Sequence, residues 1–242
     1  ATIDAIFALA LGLYLALGWS AQEAVERARG HIAALLNARP KEIVFTSGAT
    51  EACNLALLGA AEHRSAARSH IVTQATEHHA VLGPIRALEK RGFQVTVLRP
   101  DSEGIIDPEQ VREAMTGHTF LVSIMAANNE IGALQPLAEI GRVCREAGAI
   151  FHTDAAQAVG KIPVDVEAAE IDLCSISAHK YYGPKGVGAL FVRRRGRRIR
   201  LSPMIIGGGQ EGGLRSGTLN VPGIAGLGEC SRLALDEMAG EA

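Results

Sequence analysis

The residue with the most chemistry to offer is Lys180. It closes the run Ser175-Ile176-Ser177-Ala178-His179-Lys180 and precedes Tyr181-Tyr182-Gly183-Pro184-Lys185-Gly186, so an apolar stretch delivers an amine to a Gly/Pro turn. A lysine ending a buried strand is desolvated, which favours the free amine that forms Schiff bases with carbonyl compounds. The alternative is a solvated surface lysine. On an extended segment Ser177 and His179 share one side, where both can donate to a phosphate.

Asp154 follows the apolar run Phe151-His152-Thr153, and a buried acid there needs a cation such as a protonated pyridine nitrogen. Gln157, three residues on, can reach a ring substituent on the same side. Thr46-Ser47-Gly48-Ala49-Thr50-Glu51 leads from a strand into a helix start. Free N–H groups around Ala49 and the Thr50 hydroxyl suit a phosphate there, although a Ser/Thr cap without ligand explains the pattern as well. In Thr76-Glu77-His78-His79 one flat ring can stack on a planar cofactor. Adjacent histidines point in different directions, against joint metal ligation, and a structural histidine is the competing reading. Ala126-Ala127-Asn128-Asn129-Glu130-Ile131-Gly132 offers either a turn or an amide aimed into a cleft. Ile205 to Thr218 holds six glycines in fourteen residues, as a flexible loop or as backbone held close to a ligand or partner subunit.

These segments each follow a strand-like run. The runs are Glu42 to Thr46, His70 to Thr73, Gln94 to Leu98, Thr119 to Met125, Ala149 to Thr153, Asp172 to Ser177 and Gly188 to Val192. Helical stretches over Glu51 to Ala61, Ala80 to Arg91, Pro108 to Met115 and Pro136 to Glu146 alternate with them. The expected fold is α/β: a three-layer domain with a mostly parallel seven-stranded sheet whose ligands sit at the carboxyl ends of the strands. Ser20, with Glu23 three residues later, predicts a capped helix running to about Leu36, closed by Pro40. The preceding run Ala5 to Trp19 is uncharged, short for a membrane span and without a basic leader, which favours a buried or interface helix.

Across 242 residues, 24 Lys and Arg stand against 26 Asp and Glu, so nothing in the balance calls for nucleic acid or a membrane as partner. Cys53, Cys144, Cys174 and Cys230 lack zinc-site spacing or a disulfide pattern and fit a reducing cytoplasm, with Cys174 as a small buried hydrophobe. Six arginines in Arg193 to Arg200 suggest a solvated hairpin, or else a site for an acidic partner or nucleic acid.

In combination and order, FTSGATE, TEHHAVL, IMAANNEIG, HTDAAQ, SAHKYYGPKG and GGGQE followed by LRSGT resemble the cysteine desulfurases, pyridoxal-phosphate enzymes of the class V aminotransferase fold. The resemblance runs from Ala21 to the C-terminus and implies a fold type I large, cofactor-binding domain over residues 21–242, after an atypical apolar segment at 1–20. It implies Lys180 as the Schiff-base lysine and Asp154 on the pyridine nitrogen, with His78 stacked on the ring and moving protons. It places Ala49, Thr50, Ser177 and His179 at the phosphate, with Thr218 at the phosphate of the neighbouring subunit of a homodimer. Gln157 would touch the ring hydroxyl and Asn129 would orient the substrate carboxylate.

The family's activity would be removal of sulfur from L-cysteine, giving L-alanine and an enzyme persulfide passed to an iron-sulfur scaffold or other sulfur-acceptor protein. The family's cysteine loop, its carboxylate-anchoring arginine and its small C-terminal domain have no match here, and Gly212 stands where arginine is usual. A selenocysteine lyase, an aminotransferase or a non-catalytic truncated homologue are therefore the alternatives. Apolar surface left uncovered by a missing small domain would make solubility marginal.

Overall fold

The computed structural model describes the backbone of residues 2–64 and 67–241 and the side chains of 18–64 and 67–238. The apolar runs become seven strands of one sheet: β1 (Ile43–Thr46), β2 (His70–Gln74), β3 (Gln94–Leu98), β4 (Thr119–Ser123), β5 (Ile150–Asp154), β6 (Leu173–Ser177) and β7 (Gly188–Val192). Their order is β1-β7-β6-β5-β4-β2-β3. From β3 to β6 every pair is parallel, and β7 runs antiparallel to both β1 and β6. Inner strands β2, β4, β6 and β7 are buried along their whole length and β5 in all but Ile150, as continuous runs covered on both faces must be. Edge strand β3 instead carries Gln94 and Thr96 and is largely open.

Alternate residues of each strand feed two cores. Ile43, Phe45, Phe151, Cys174 and Ile176 meet helices α1 (Thr2–Leu35), α4 (Pro108–Ala114), α5 (Leu137–Glu146) and α6 (Val221–Glu241) on one face. Val44, Leu121, Leu173 and Leu190 meet α2 (Ala49–Ala61) and α3 (His79–Lys90) on the other. This is the three-layer α/β domain with a mostly parallel seven-stranded sheet.

Three features depart from the expectation. Helix α1 passes through Ser20 without a start there, because the run before it is dominated by Ala and Leu, strong helix formers, and no proline interrupts it. How the side chains of residues 5–17 pack lies outside the described residues; Trp19 is exposed. Helix α6 was not anticipated, although its start is written in the sequence: Asn220 Oδ1 accepts the Gly223 N–H, with Pro222 in the first turn. It packs along α1, and Ser231 Oγ meets Tyr181 OH at 3.1 Å, so α6 buttresses the turn that follows Lys180.

The arginine run is solvated only in part: Arg194, Arg195, Arg198 and Arg200 are exposed, whereas Arg193 and Arg197 are drawn onto the protein. Arg193 is buried, donating to Ile171 O (2.9 Å) and Glu167 (3.0 Å), and Arg197 donates to Ala149 O (2.7 Å) and Gly148 O (3.0 Å). These guanidiniums close exposed carbonyls at loop ends. Among the described residues no helix is long and apolar enough to cross a membrane.

Candidate active site

The segments that follow β1, β2, β4, β5 and β6 converge on one cavity of about 470 Å³ at the carboxyl edge of the sheet. Sheet register builds its floor: Gly188 pairs with Ser177 on β6 and with Thr46 on β1. A Cβ on Gly188 would lie 2.5 Å from Ile176 O and 2.6 Å from Gly48 Cα. Only a hydrogen at that position lets the 47–51 turn settle onto the end of β6.

The first turn of α2 consequently faces the cavity with N–H groups that have no acceptor in the helix. Gly48 precedes it without a side-chain cap, so the ligand-free Ser/Thr cap is not what forms there. Ala49 and Thr50 line the cavity, as do Ser177 and His179, whose Oγ and Nδ1 are 2.9 Å apart. The strand ends at Ser177 and residues 178–180 form a single 3₁₀ turn, so these two side chains meet through the turn and not along an extended segment. Lys180, last residue of that turn, is exposed to the open cavity and not buried as a strand-end residue would be.

Asp154, at the end of β5, is 4% exposed and lines the cavity. Its Oδ1 accepts the Ala156 N–H at 3.0 Å, and among the described residues it forms no ion pair. Burial raises its carboxyl above the usual range, against the pull of the Ala156 N–H, His78 and Lys180. Gln157 lines the same wall, its Oε1 held by Lys161 Nζ at 2.8 Å.

His78 also borders the cavity, and its Nδ1 caps α3 by accepting the Ala80 N–H at 3.1 Å. In the neutral ring the proton is therefore on Nε2. His79 stands edge-on to it, with ring centroids 6.3 Å apart. The two asparagines divide the roles foreseen for them. Asn128 makes the turn, its Oδ1 accepting from Glu130 N (2.9 Å) and Ile131 N (3.0 Å), while Asn129 lines the cavity.

Thr218 is exposed and lies outside the cavity. Its loop is pinned by Glu211, whose carboxylate takes both Arg29 Nη atoms at 2.8 Å and the Phe45 N–H at 2.7 Å. Gly212 has φ +64°, ψ 26°, a left-handed conformation in which the arginine usual at that position would be strained. Lys185, a second amine on the cavity wall, and Met125 were not singled out from the sequence; Lys185 stands in the same Gly-Pro-Lys-Gly turn that flagged Lys180. All four cysteines are buried and free, Cys174 fully so.

This donor set fits pyridoxal phosphate: a buried carboxyl without a cation, an amine open to the same cavity, and a helix N-terminus beside a hydroxyl and an imidazole.

The sequence pattern of the family described as aminotransferase class-V matches residues 14–240. A cysteine desulfurase IscS of Anaeromyxobacter dehalogenans (strain 2CP-C) is 58% identical over 227 residues, covering 94% of this chain and 56% of the relative. Among solved structures, DndA from Streptomyces lividans is 47% identical with a TM-score of 0.89, covering 93% of this chain and 64% of that one. SspA in complex with cysteine is 48% identical with a TM-score of 0.85, covering 88% and 61%. The chain thus spans a little over half the length of the curated relatives it matches. Sheet, cavity and sequence agree that the chain belongs to the aminotransferase class-V family of fold type I pyridoxal-phosphate enzymes, among relatives named cysteine desulfurases.

Proposed function

We propose that this chain is the cofactor-binding part of a cysteine desulfurase, which removes sulfur from L-cysteine to leave L-alanine. The observation that carries the reading is the pairing, in one cavity, of an exposed lysine with a buried, cation-free aspartate. The name shared by the curated relatives and the cysteine bound to SspA support the substrate. Bound pyridoxal phosphate supplies an electron sink for the bond to be broken.

The chain's own groups divide the remaining work. Lys180 would hold the cofactor through its amine, at the carbonyl carbon, with the carbonyl oxygen lost as water. Asp154 holds a proton on the ring nitrogen, since an ionised carboxylate this deeply buried is stabilised by a cation in contact. The first-turn N–H groups at Ala49 and Thr50, with Ser177 and His179, hold the phosphate. Gln157 turns from Lys161 to the ring hydroxyl, and Asn129 orients the substrate carboxylate. His78 would stack on the ring, and its Nε2, left free by the Nδ1 bond to Ala80, would give or take a proton at the substrate. Thr218, outside its own cavity, reaches the phosphate of a second copy in a homodimer. The sulfur would be taken by a cysteine thiol of the enzyme as a persulfide, L-cysteine and RSH giving L-alanine and RSSH, and from there would pass to an iron-sulfur scaffold or another acceptor protein, in the cytoplasm.

The reading is tested by loading the purified chain with pyridoxal phosphate and adding L-cysteine, with L-serine and D-cysteine as controls. L-cysteine is expected to change the visible spectrum at concentrations where the controls do not. A loaded chain that responds to all three alike, or to none, would overturn the substrate assignment.

A further inference from the structure

Glu77 takes no part in the roles above, although it is buried beside the cavity between Thr76 and His78. Its Oε1 accepts the Met125 N–H at 2.6 Å and Gln74 Nε2 at 3.2 Å, while Oε2 is buried with no partner among the described residues. A second tie lies alongside, where Asn128 Nδ2 donates to Thr76 O at 3.0 Å. Strands β2 and β4 pair only as far as Thr73 and Ser123. Beyond that point the two chain segments are joined by these side chains. One residue past Glu77 comes His78, and past Met125 come Ala127 and Asn129, all on the cavity wall.

Among the described residues no cation offsets the burial of an ionised Glu77. Asp154 on β5 is a second buried acid, and burial first, then Asp154, pushes the Glu77 carboxyl well above the usual range. A protonated glutamic acid keeps the carbonyl oxygen that the Met125 N–H needs. Glutamine would keep it too.

We propose that Glu77 is a positioning residue: by accepting the Met125 N–H it holds the His78 segment against the end of β4, and so sets how firmly the cavity holds the cofactor ring. The proposal rests on reading the cavity as a pyridoxal-phosphate site. Its test compares Glu77→Gln with Glu77→Met in the full chain, two uncharged side chains of similar size of which only glutamine accepts a hydrogen bond. Three quantities are read: the Kd for pyridoxal phosphate, the visible circular dichroism of the bound chromophore, and hydrogen exchange of the Met125 amide without cofactor.

Glu77→Gln is expected to stay within about twofold of the parent in Kd, with parental dichroism and exchange. Glu77→Met is expected to bind at least about tenfold more weakly, with altered dichroism and faster exchange at Met125. A role in stability alone would lower the melting temperature of both variants and leave Kd and dichroism parental, which overturns the proposal. Equal losses in both variants also overturn it. If Glu77→Met does not fold, Glu77→Gln decides: parental values support the proposal and a tenfold loss refutes it. A parent that binds no cofactor would refute the proposed function, while exchange at Met125 in the two variants would still decide whether the tether exists.

Discussion

Gly188→Ala is the smallest change that should spoil the phosphate end of the cavity. The added methyl carbon would sit 2.5 Å from Ile176 O, 2.6 Å from Gly48 Cα and 2.9 Å from Gly48 C, all backbone atoms. Restoring ordinary contact needs a shift of about 1 Å, since carbon atoms pack best at about 3.5–4.0 Å. The contact with Ile176 O strains the β6–β7 ladder itself, while the contacts with Gly48 are relieved by a shift of the 47–51 turn that carries Ala49 and Thr50 away from Ser177 and His179. Overpacking of this kind costs about 1–3 kcal/mol. Expressed in binding, that is roughly a 5- to 150-fold weaker Kd for pyridoxal phosphate. Absorbance titration of the cofactor-free chain measures it, with pyridoxal, which lacks the phosphate, as the control ligand. The loss should fall on pyridoxal phosphate and spare pyridoxal. Parental affinity for both, or equal loss for both, would refute the reasoning.

Two further outcomes are expected. Glu211→Gln leaves the half-buried Arg29 guanidinium without its bidentate carboxylate, whose side chain is 1% exposed, and should cost about 3–5 kcal/mol in urea unfolding at neutral pH; a cost below about 1 kcal/mol would contradict the pair's assigned weight. His152 is buried between Ser123 Oγ (2.8 Å) and Ser175 Oγ (3.0 Å), and burial lowers its pKa to about 3. The unfolded chain, with a histidine pKa of about 6.5, binds a proton that the native chain does not between those values. Stability from this group should therefore be lost as pH falls from about 6.5 towards 3, with a slope of up to about 1.4 kcal/mol per pH unit. Glu77 and Asp154, raised by burial, act in the opposite sense, their contribution being lost as pH rises above about 4. Urea midpoints across that range for the parent and His152→Asn isolate the histidine, and parallel curves would refute its role.

Most of the sheet was legible because its strands are buried runs of the length that strands take, each ending in a polar or glycine-bearing turn. Gln94–Leu98 and Gly188–Val192 came out as expected, whereas β4 stops at Ser123, short of the expected Met125. There the chain leaves the ladder to make the Glu77 and Asn128 contacts, which depend on neighbours 48 and 52 residues away and leave no local pattern. Helix α1 hid its course because a serine-to-glutamate spacing inside a helix looks like a start. The arginine run was legible in part: four of its six side chains are exposed as the charge pattern suggests, but Arg193 and Arg197 cap carbonyls contributed by distant loops. At the site, residues that follow strands directly were found, since the fold class says where to look. Lys185 and Glu77, one residue type expected on surfaces and one expected to be ionised, needed the third dimension.

The central claim is that Lys180 is the amine that holds the cofactor. Its most direct test is borohydride reduction of the chain with pyridoxal phosphate, followed by peptide mapping that resolves Lys180 from Lys185. A reduced adduct on Lys180, absent in Lys180→Ala, is the predicted result; a folded chain that carries the adduct on Lys185 or takes none would contradict the account.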